Sequence, residues 1–155
     1  MLIPERRNMK VDLKAMLPAK FGTGEKFILI VEDDDAAFML LQMGLQEVGG
    51  NFRLYRVENG GQALDFLRRS GPYADAPRPN LVLLNLNMPK VSGFDVLEGM
   101  RDDPTIADVP AVVFTSSRLD TDKARCLGLG ARKFLTKPTH LDEFQNVLHN
   151  ICSLL

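Results

Sequence analysis

The chain has 155 residues, 45% of them hydrophobic and 25% charged, which suits one globular domain with an appendage and argues against wholesale disorder. Nineteen basic residues against twenty acidic ones leave a net charge of -1, so no general pull toward nucleic acid or anionic membrane is expected. The longest apolar runs, such as Phe27–Val31 and Leu81–Leu84, are too short to cross a bilayer, and the N-terminus lacks the basic-then-apolar order of a secretory signal. Cys126 and Cys152 make neither a disulfide framework nor a metal set and read as small core or boundary residues. A cytoplasmic location is the expectation.

Residues 1–24 stand apart as an N-terminal arm, with the domain over residues 25–155. Five basic residues in the first twenty (Arg6, Arg7, Lys10, Lys14, Lys20) face two acidic ones, a net of +3 that leaves -4 for the remainder. Met9, Leu13, Met16 and Leu17 recur at helical spacing between Asn8, a cap residue, and Pro18, a stop. A short basic amphipathic helix docking on a partner or on the domain itself fits this pattern. So does a tail that is helical only part of the time, because isolated ten-residue helices are marginal in water.

From Lys26 onward, strands and helices alternate. Lys26–Val31 is a continuous apolar strand of the kind buried on both faces. A helix follows with Phe38, Leu41, Leu45 and Val48 on one stripe, stopped by Gly49-Gly50. Phe52–Val57 alternates like a more exposed strand, and Asn59-Gly-Gly-Gln62 opens the next helix. The proline-rich stretch Ser70–Asn80 reads as a surface connection or a recognition loop. Leu81–Leu84, a helix over Phe94–Arg101, Ala111–Thr115, a weaker helix around Asp122–Leu127, a short strand Lys133–Leu135 and a final helix marked by Leu141, Phe144, Leu148 and Ile151 complete the chain. Asn59-x-x-Gln62, Ser92-x-x-Asp95, Ser117-x-x-Asp120 and Thr139-x-x-Asp142 look like capping boxes at the helix starts.

Five strand–helix units imply an α/β domain, a doubly wound five-stranded parallel sheet of order 2-1-3-4-5. Function in such sheets collects beyond the carboxyl ends of the strands. Those ends here carry Glu32-Asp33-Asp34-Asp35, Asn85-Leu-Asn87-Met-Pro89, Thr115-Ser116 and Lys137-Pro138. Crowded carboxylates need a cation, and an oxygen-only set suits Mg²⁺. A hydroxyl and an ammonium on the other side complete a pocket for a phosphoryl group. A glycine-rich nucleotide loop is missing after the first strand, which disfavours a dinucleotide site. Taken singly, each piece has a plain reading, as a capping turn, a surface lysine or a strand-end hydroxyl.

Over Lys26–Leu154 these pieces resemble the receiver domain of two-component response regulators, a flavodoxin-like fold. The motifs are Ile-Leu-Ile-Val-Glu32-Asp33-Asp, Leu-Val-Leu-Leu-Asn85-Leu-Asn87-Met-Pro89-x-x-x-Gly93, Val-Val-Phe-Thr115-Ser and Lys133-Phe134-Leu-Thr-Lys137-Pro138. The long loop and Leu-Asn-Met-Pro-Lys are similar to single-domain receivers associated with bacterial phytochrome kinases. The resemblance implies Mg²⁺ held by Glu32, Asp33 and the carbonyl of Asn87, and a phosphoryl group contacted by Thr115 and Lys137. It implies a rotating aromatic switch at Phe134 and a cis Lys137-Pro138 bond. It also implies a sensor histidine kinase or other signalling partner, no enzyme activity of its own, and homodimers through the Asp120–Phe134 face.

The sequence departs from the family at the phospho-acceptor position, where Asn85 replaces aspartate. A carboxylate attacks a phosphohistidine to form an acyl phosphate, whereas a neutral amide is no comparable nucleophile. Loss of the charge also predicts weak Mg²⁺ binding. The chain is then a natural pseudo-receiver in phosphorelay signalling, working as a non-phosphorylatable interaction module, or an engineered Asp-to-Asn form of an ordinary receiver. Because the last receiver helix ends the sequence, output is expected through protein contacts. A haloacid-dehalogenase-type phosphatase, the competing reading, needs an Asp-x-Asp motif that the acidic run satisfies only by being a run.

Overall fold

The structure, a computed structural model, describes residues 25–49 and 51–155; the expected arm helix lies outside these residues. Five parallel strands form one sheet in the order β2-β1-β3-β4-β5. They are β1 (Lys26–Val31), β2 (Phe52–Val57), β3 (Leu81–Leu84), β4 (Ala111–Thr115) and β5 (Lys133–Thr136). The helices between and after them are α1 (Asp35–Val48), α2 (Gly60–Arg68), α3 (Gly93–Asp102), α4 (Asp120–Gly128) and α5 (Leu141–Cys152). The expected strand order and strand positions hold. The central strands β1, β3 and β4 are buried along almost their whole length, while the edge strands β2 and β5 are half-buried. Covering helices on both faces explain why the central three read as unbroken apolar runs.

Alternate residues of each strand feed two cores. Phe27, Leu29, Val31, Val82, Leu84, Ala111 and Val113 face α2, α3 and α4, which contribute Phe66, Val96, Leu97, Met100 and Cys126. Ile28, Ile30, Leu81, Leu83, Val112 and Phe114 face α1 and α5, which contribute Leu41, Leu45, Leu148 and Ile151. Gly44 brings these two helices together: a Cβ on it would lie 2.2 Å from the Leu148 Cδ1.

Local capping follows the sequence in part. Ser92 and Asp95 form a full reciprocal capping box, and the Asn59 side chain accepts from the Gln62 N–H at 2.8 Å. The other two boxes do not form. Helix α4 starts at Asp120 with Leu119 as its cap residue; the Ser117 hydroxyl oxygen accepts from the Leu119 N–H at 3.2 Å, and its proton goes to the Asp122 carboxylate at 2.6 Å. Helix α5 starts after His140, one residue beyond Thr139, with no side-chain cap.

The Ser70–Asn80 connection is anchored to the core. It opens with a 3-10 turn over Gly71–Tyr73, and Tyr73 and Ala76 are buried in the three-helix core. The Tyr73 ring lies 5.3 Å from that of Phe66, which stacks on Tyr55 at 5.2 Å. At its end Asn80 grips β1 twice: its N–H donates to the Phe27 carbonyl and its side-chain oxygen accepts from the Phe27 N–H, both at 2.8 Å.

Candidate functional site at the carboxyl end of the sheet

Sheet hydrogen bonding carries two polar residues just past the last strand positions. The Glu32 N–H donates to the Val57 carbonyl at 3.0 Å, and the Asn85 N–H to the Val31 carbonyl at 3.1 Å. Both side chains are therefore held at the rim of the core, Glu32 at 2% exposure and Asn85 at 8%. Asp33, one residue farther, is exposed. The chain then turns into α1: the Asp34 carboxylate caps that helix by accepting from the Ala37 N–H at 3.2 Å. Asp34 thus performs the capping role the plain reading assigns to part of the acidic run, while Glu32 and Asp33 turn toward Asn85.

The Asn85 amide is the meeting point. Its Nδ2 donates toward Glu32 Oε2 at 3.3 Å, Asp33 Oδ1 at 3.4 Å and the Asn87 carbonyl at 3.3 Å. Two amide hydrogens shared among three acceptors give long, divided bonds, each weaker than an undivided one. Lys137 enters from the turn after β5, its Nζ 2.8 Å from Glu32 Oε1. Glu32 also accepts from the Asp34 N–H at 3.2 Å. A carboxylate this buried keeps its place only with such partners, since an unpaired charge there is strongly disfavoured.

Five of the residues expected at the site, Glu32, Asp33, Asn85, Asn87 and Lys137, are therefore brought together. Thr115 is adjacent but differently engaged. It is fully buried, its hydroxyl accepts from the Ser117 N–H at 3.2 Å, and its carbonyl accepts from the Lys137 N–H at 2.6 Å. Phe134 sits opposite Val113 in the β4–β5 ladder, half-buried against the three-helix core. One expectation fails: no described peptide bond is cis, so Lys137–Pro138 adopts the ordinary trans isomer, which is the lower in energy for most X–Pro bonds.

Sequence reasoning missed Arg56. From the edge strand β2 its Nε donates to the Glu32 carbonyl at 2.8 Å and its Nη1 to Asp35 Oδ1 at 2.7 Å, with the guanidinium 5.2 Å from the Phe38 ring centre. This fork ties the β1–α1 turn to its neighbour strand. An arginine alternating with apolar residues on an exposed strand gives no local sign of that task.

The donor set has the chemistry of a hard-cation site. Two carboxylates and a backbone carbonyl, all oxygen, converge within 3.4 Å of one amide nitrogen. Among the described residues no group of three or more His, Cys, Asp and Glu forms such a cluster, so the charge available to a divalent ion is that of two carboxylates.

Residues 28–149 match the family model of the response regulator receiver domain. The chain is 35% identical over 126 residues to response regulator Rcp1 of Synechocystis sp., covering 81% of this chain and 86% of that protein. It is also similar to the crystal structure of Mn²⁺-bound Rcp1, with a TM-score of 0.77 and 35% identity over 83% of this chain and 92% of that one. The phosphorylated cyanobacterial phytochrome response regulator RcpA gives a TM-score of 0.77 at 34% identity, over 82% and 91% of the two chains. Sheet order, the oxygen cluster at its carboxyl end and these likenesses agree: the chain belongs to the response regulator receiver domain family.

Proposed function

We propose that this receiver takes no phosphoryl group at residue 85 and signals as an interaction module. The observation that carries this reading is the Asn85 amide, which donates toward Glu32, Asp33 and Asn87. At that position a carboxylate would present electron pairs to an incoming phosphorus; the amide presents hydrogens and holds its nitrogen lone pair in resonance. Lys137, which would neutralise a phosphoryl oxygen, is instead spent on Glu32.

Rcp1 has been crystallised with Mn²⁺ and RcpA in a phosphorylated form; in this chain Glu32, Asp33 and the Asn87 carbonyl are the groups that would hold Mg²⁺. A bound ion would supply electrostatic stabilisation to phosphate oxygens. Its affinity is weak here, because residue 85 contributes no charge and its amide hydrogens point into the same ring of oxygens. Thr115 and Lys137 are the phosphoryl-facing groups of the scaffold and Phe134 its aromatic switch residue. The partner is a sensor histidine kinase or another signalling protein, and the Asp120–Phe134 face is the surface for a homodimer. The domain turns over no substrate of its own.

Acetyl phosphate with Mg²⁺, followed by intact mass measurement, tests the reading. The native chain gains no phosphoryl mass. Asn85→Asp gains one and binds Mg²⁺ at least about tenfold more tightly, one added carboxylate being worth on the order of 1.4 kcal/mol at such a site. A stable phosphoryl adduct on the native chain refutes the proposal. Failure of Asn85→Asp to label would show that the remaining residues do not form a phosphotransfer site.

A further inference from the structure

Three of the six large apolar side chains left exposed among the described residues lie on one helix: Met39 at 57%, Leu40 at 48% and Met43 at 56%. Leu40 and Met43 line a groove of about 480 Å³ between α1 and α5, floored by Gly44 and walled by Phe144. Two acids stand on its rim, Glu47 and Asp142, and the Glu47 partner is the neutral amide of Gln145 at 2.7 Å. Leu40 and Phe144 also line a smaller hollow that reaches Lys137 and Pro138, so the groove leads from the flank of the domain to the site.

The sequence outside the described residues supplies a matching occupant. Met9, Leu13, Met16 and Leu17 make an apolar stripe, and Lys10 and Lys14 each follow a stripe residue, in an arm of net charge +3. As a helix, residues 9–17 would be about 13 Å long, close to the roughly 10 Å of α1 between Leu40 and Glu47. The attachment point is favourable. The arm joins the domain at the start of β1, where the Lys26 N–H donates to the Asn51 carbonyl just after the end of α1. Met43 is five residues back from that helix end, or about 8 Å along the axis, and the seven residues Pro18–Gly24 span up to about 24 Å when extended.

We propose that residues 9–17 of the N-terminal arm dock in the α1–α5 groove, with Leu13, Met16 and Leu17 over Leu40, Met43 and Phe144 and the basic residues facing Glu47 and Asp142. The arm is then a built-in occupant of the surface beside Lys137, and any partner that needs α1 must displace it.

Methionine oxidation by dilute peroxide in the full-length chain, read residue by residue in a mass spectrometer, tests this, because sulfoxide formation follows exposure. Met43 oxidises about tenfold more slowly in the native chain than in the Leu13→Asp, Leu17→Asp chain, the ratio for an arm docked about nine-tenths of the time. Lys10→Glu with Lys14→Glu gives part of that loss of protection. Met100, at 4% exposure, stays slow in every chain and reports that the domain is folded. Equal rates for Met43 in native and variant chains overturn the proposal. So does protection that disappears on hundredfold dilution, which assigns the groove to a second copy of the chain.

Discussion

On one face of the sheet, α2, α3, α4 and the Tyr73 turn close over Phe27, Phe66 and Met100; on the other, α1 and α5 close over Ile28, Ile30 and Leu148 and leave Met39, Leu40 and Met43 in solvent. The first face is closed where its aromatic rings pack on one another and its connecting loop is drawn into the core, and its exposed apolar side chains, Leu119 and Leu127, lie at α4. The second stops short. Two helices cover five strands, and the leftover apolar surface collects on the helix that also carries the acidic turn. The two sides of one sheet are thus closed by different means, and both meet its carboxyl end.

Truncation of an aromatic on each face separates them most widely. Phe66→Ala opens a cavity in a fully buried cluster and costs about 3–5 kcal/mol, whereas half-buried Phe144→Ala costs about 2 kcal/mol or less. Urea denaturation of the two variants measures the gap, and equal losses would erase the distinction. Alanine at a glycine on each face comes next. A Cβ at Gly93 meets the Asn85 carbonyl at 2.4 Å and the Leu86 Cα at 2.8 Å, backbone that must move; one at Gly44 meets the Leu148 and Phe144 side chains. Gly93→Ala therefore costs about 2–3 kcal/mol by overpacking. Gly44→Ala costs about 1 kcal/mol or less, because side chains rotate away and alanine favours the helix.

The smallest effect is alkaline. Burial raises the Cys126 thiol from 9.0 to about 11, with the Asp122 carboxylate adding to the rise. Since the folded chain holds that proton more tightly than the unfolded one, the thiol's contribution is complete below about pH 9 and is lost as pH climbs toward 11. Burial also lifts the Tyr55 hydroxyl to about 12, extending the loss upward. Cys126→Ala flattens the stability profile between pH 9 and 11. An unchanged slope in that variant would assign the alkaline loss elsewhere.

The strands were legible because buried parallel strands leave unbroken apolar runs, and Lys26–Val31, Leu81–Leu84 and Ala111–Thr115 stand in the structure with the bounds read from sequence. Helix starts were legible where the cap oxygen accepts from the N–H three residues on, as Ser92 does from Asp95; the Ser117 oxygen accepts instead from Leu119, two residues on, and caps no helix. Of the candidate site, the strand-end residues were plain. The salt bridge from Lys137 to Glu32 and the reach of Arg56 were not, since both join residues far apart in sequence through side-chain choices that no local pattern encodes. The exposed half of α1 also escaped notice, because the stripe Phe38, Leu41, Leu45 and Val48 already accounted for one amphipathic face.

Asn80 has a consequence for how this chain tolerates change. By pairing with Phe27 through both its backbone and its side chain, it fastens the entry of a four-residue strand whose exit is Asn85. A slip of one position there would swap the two cores and turn residue 85 away from its oxygens. With that clasp in place the strand's register does not rest on the connection alone, whose Tyr73, Ala76 and Pro79 are themselves buried, and the chemistry five residues on stays where it is.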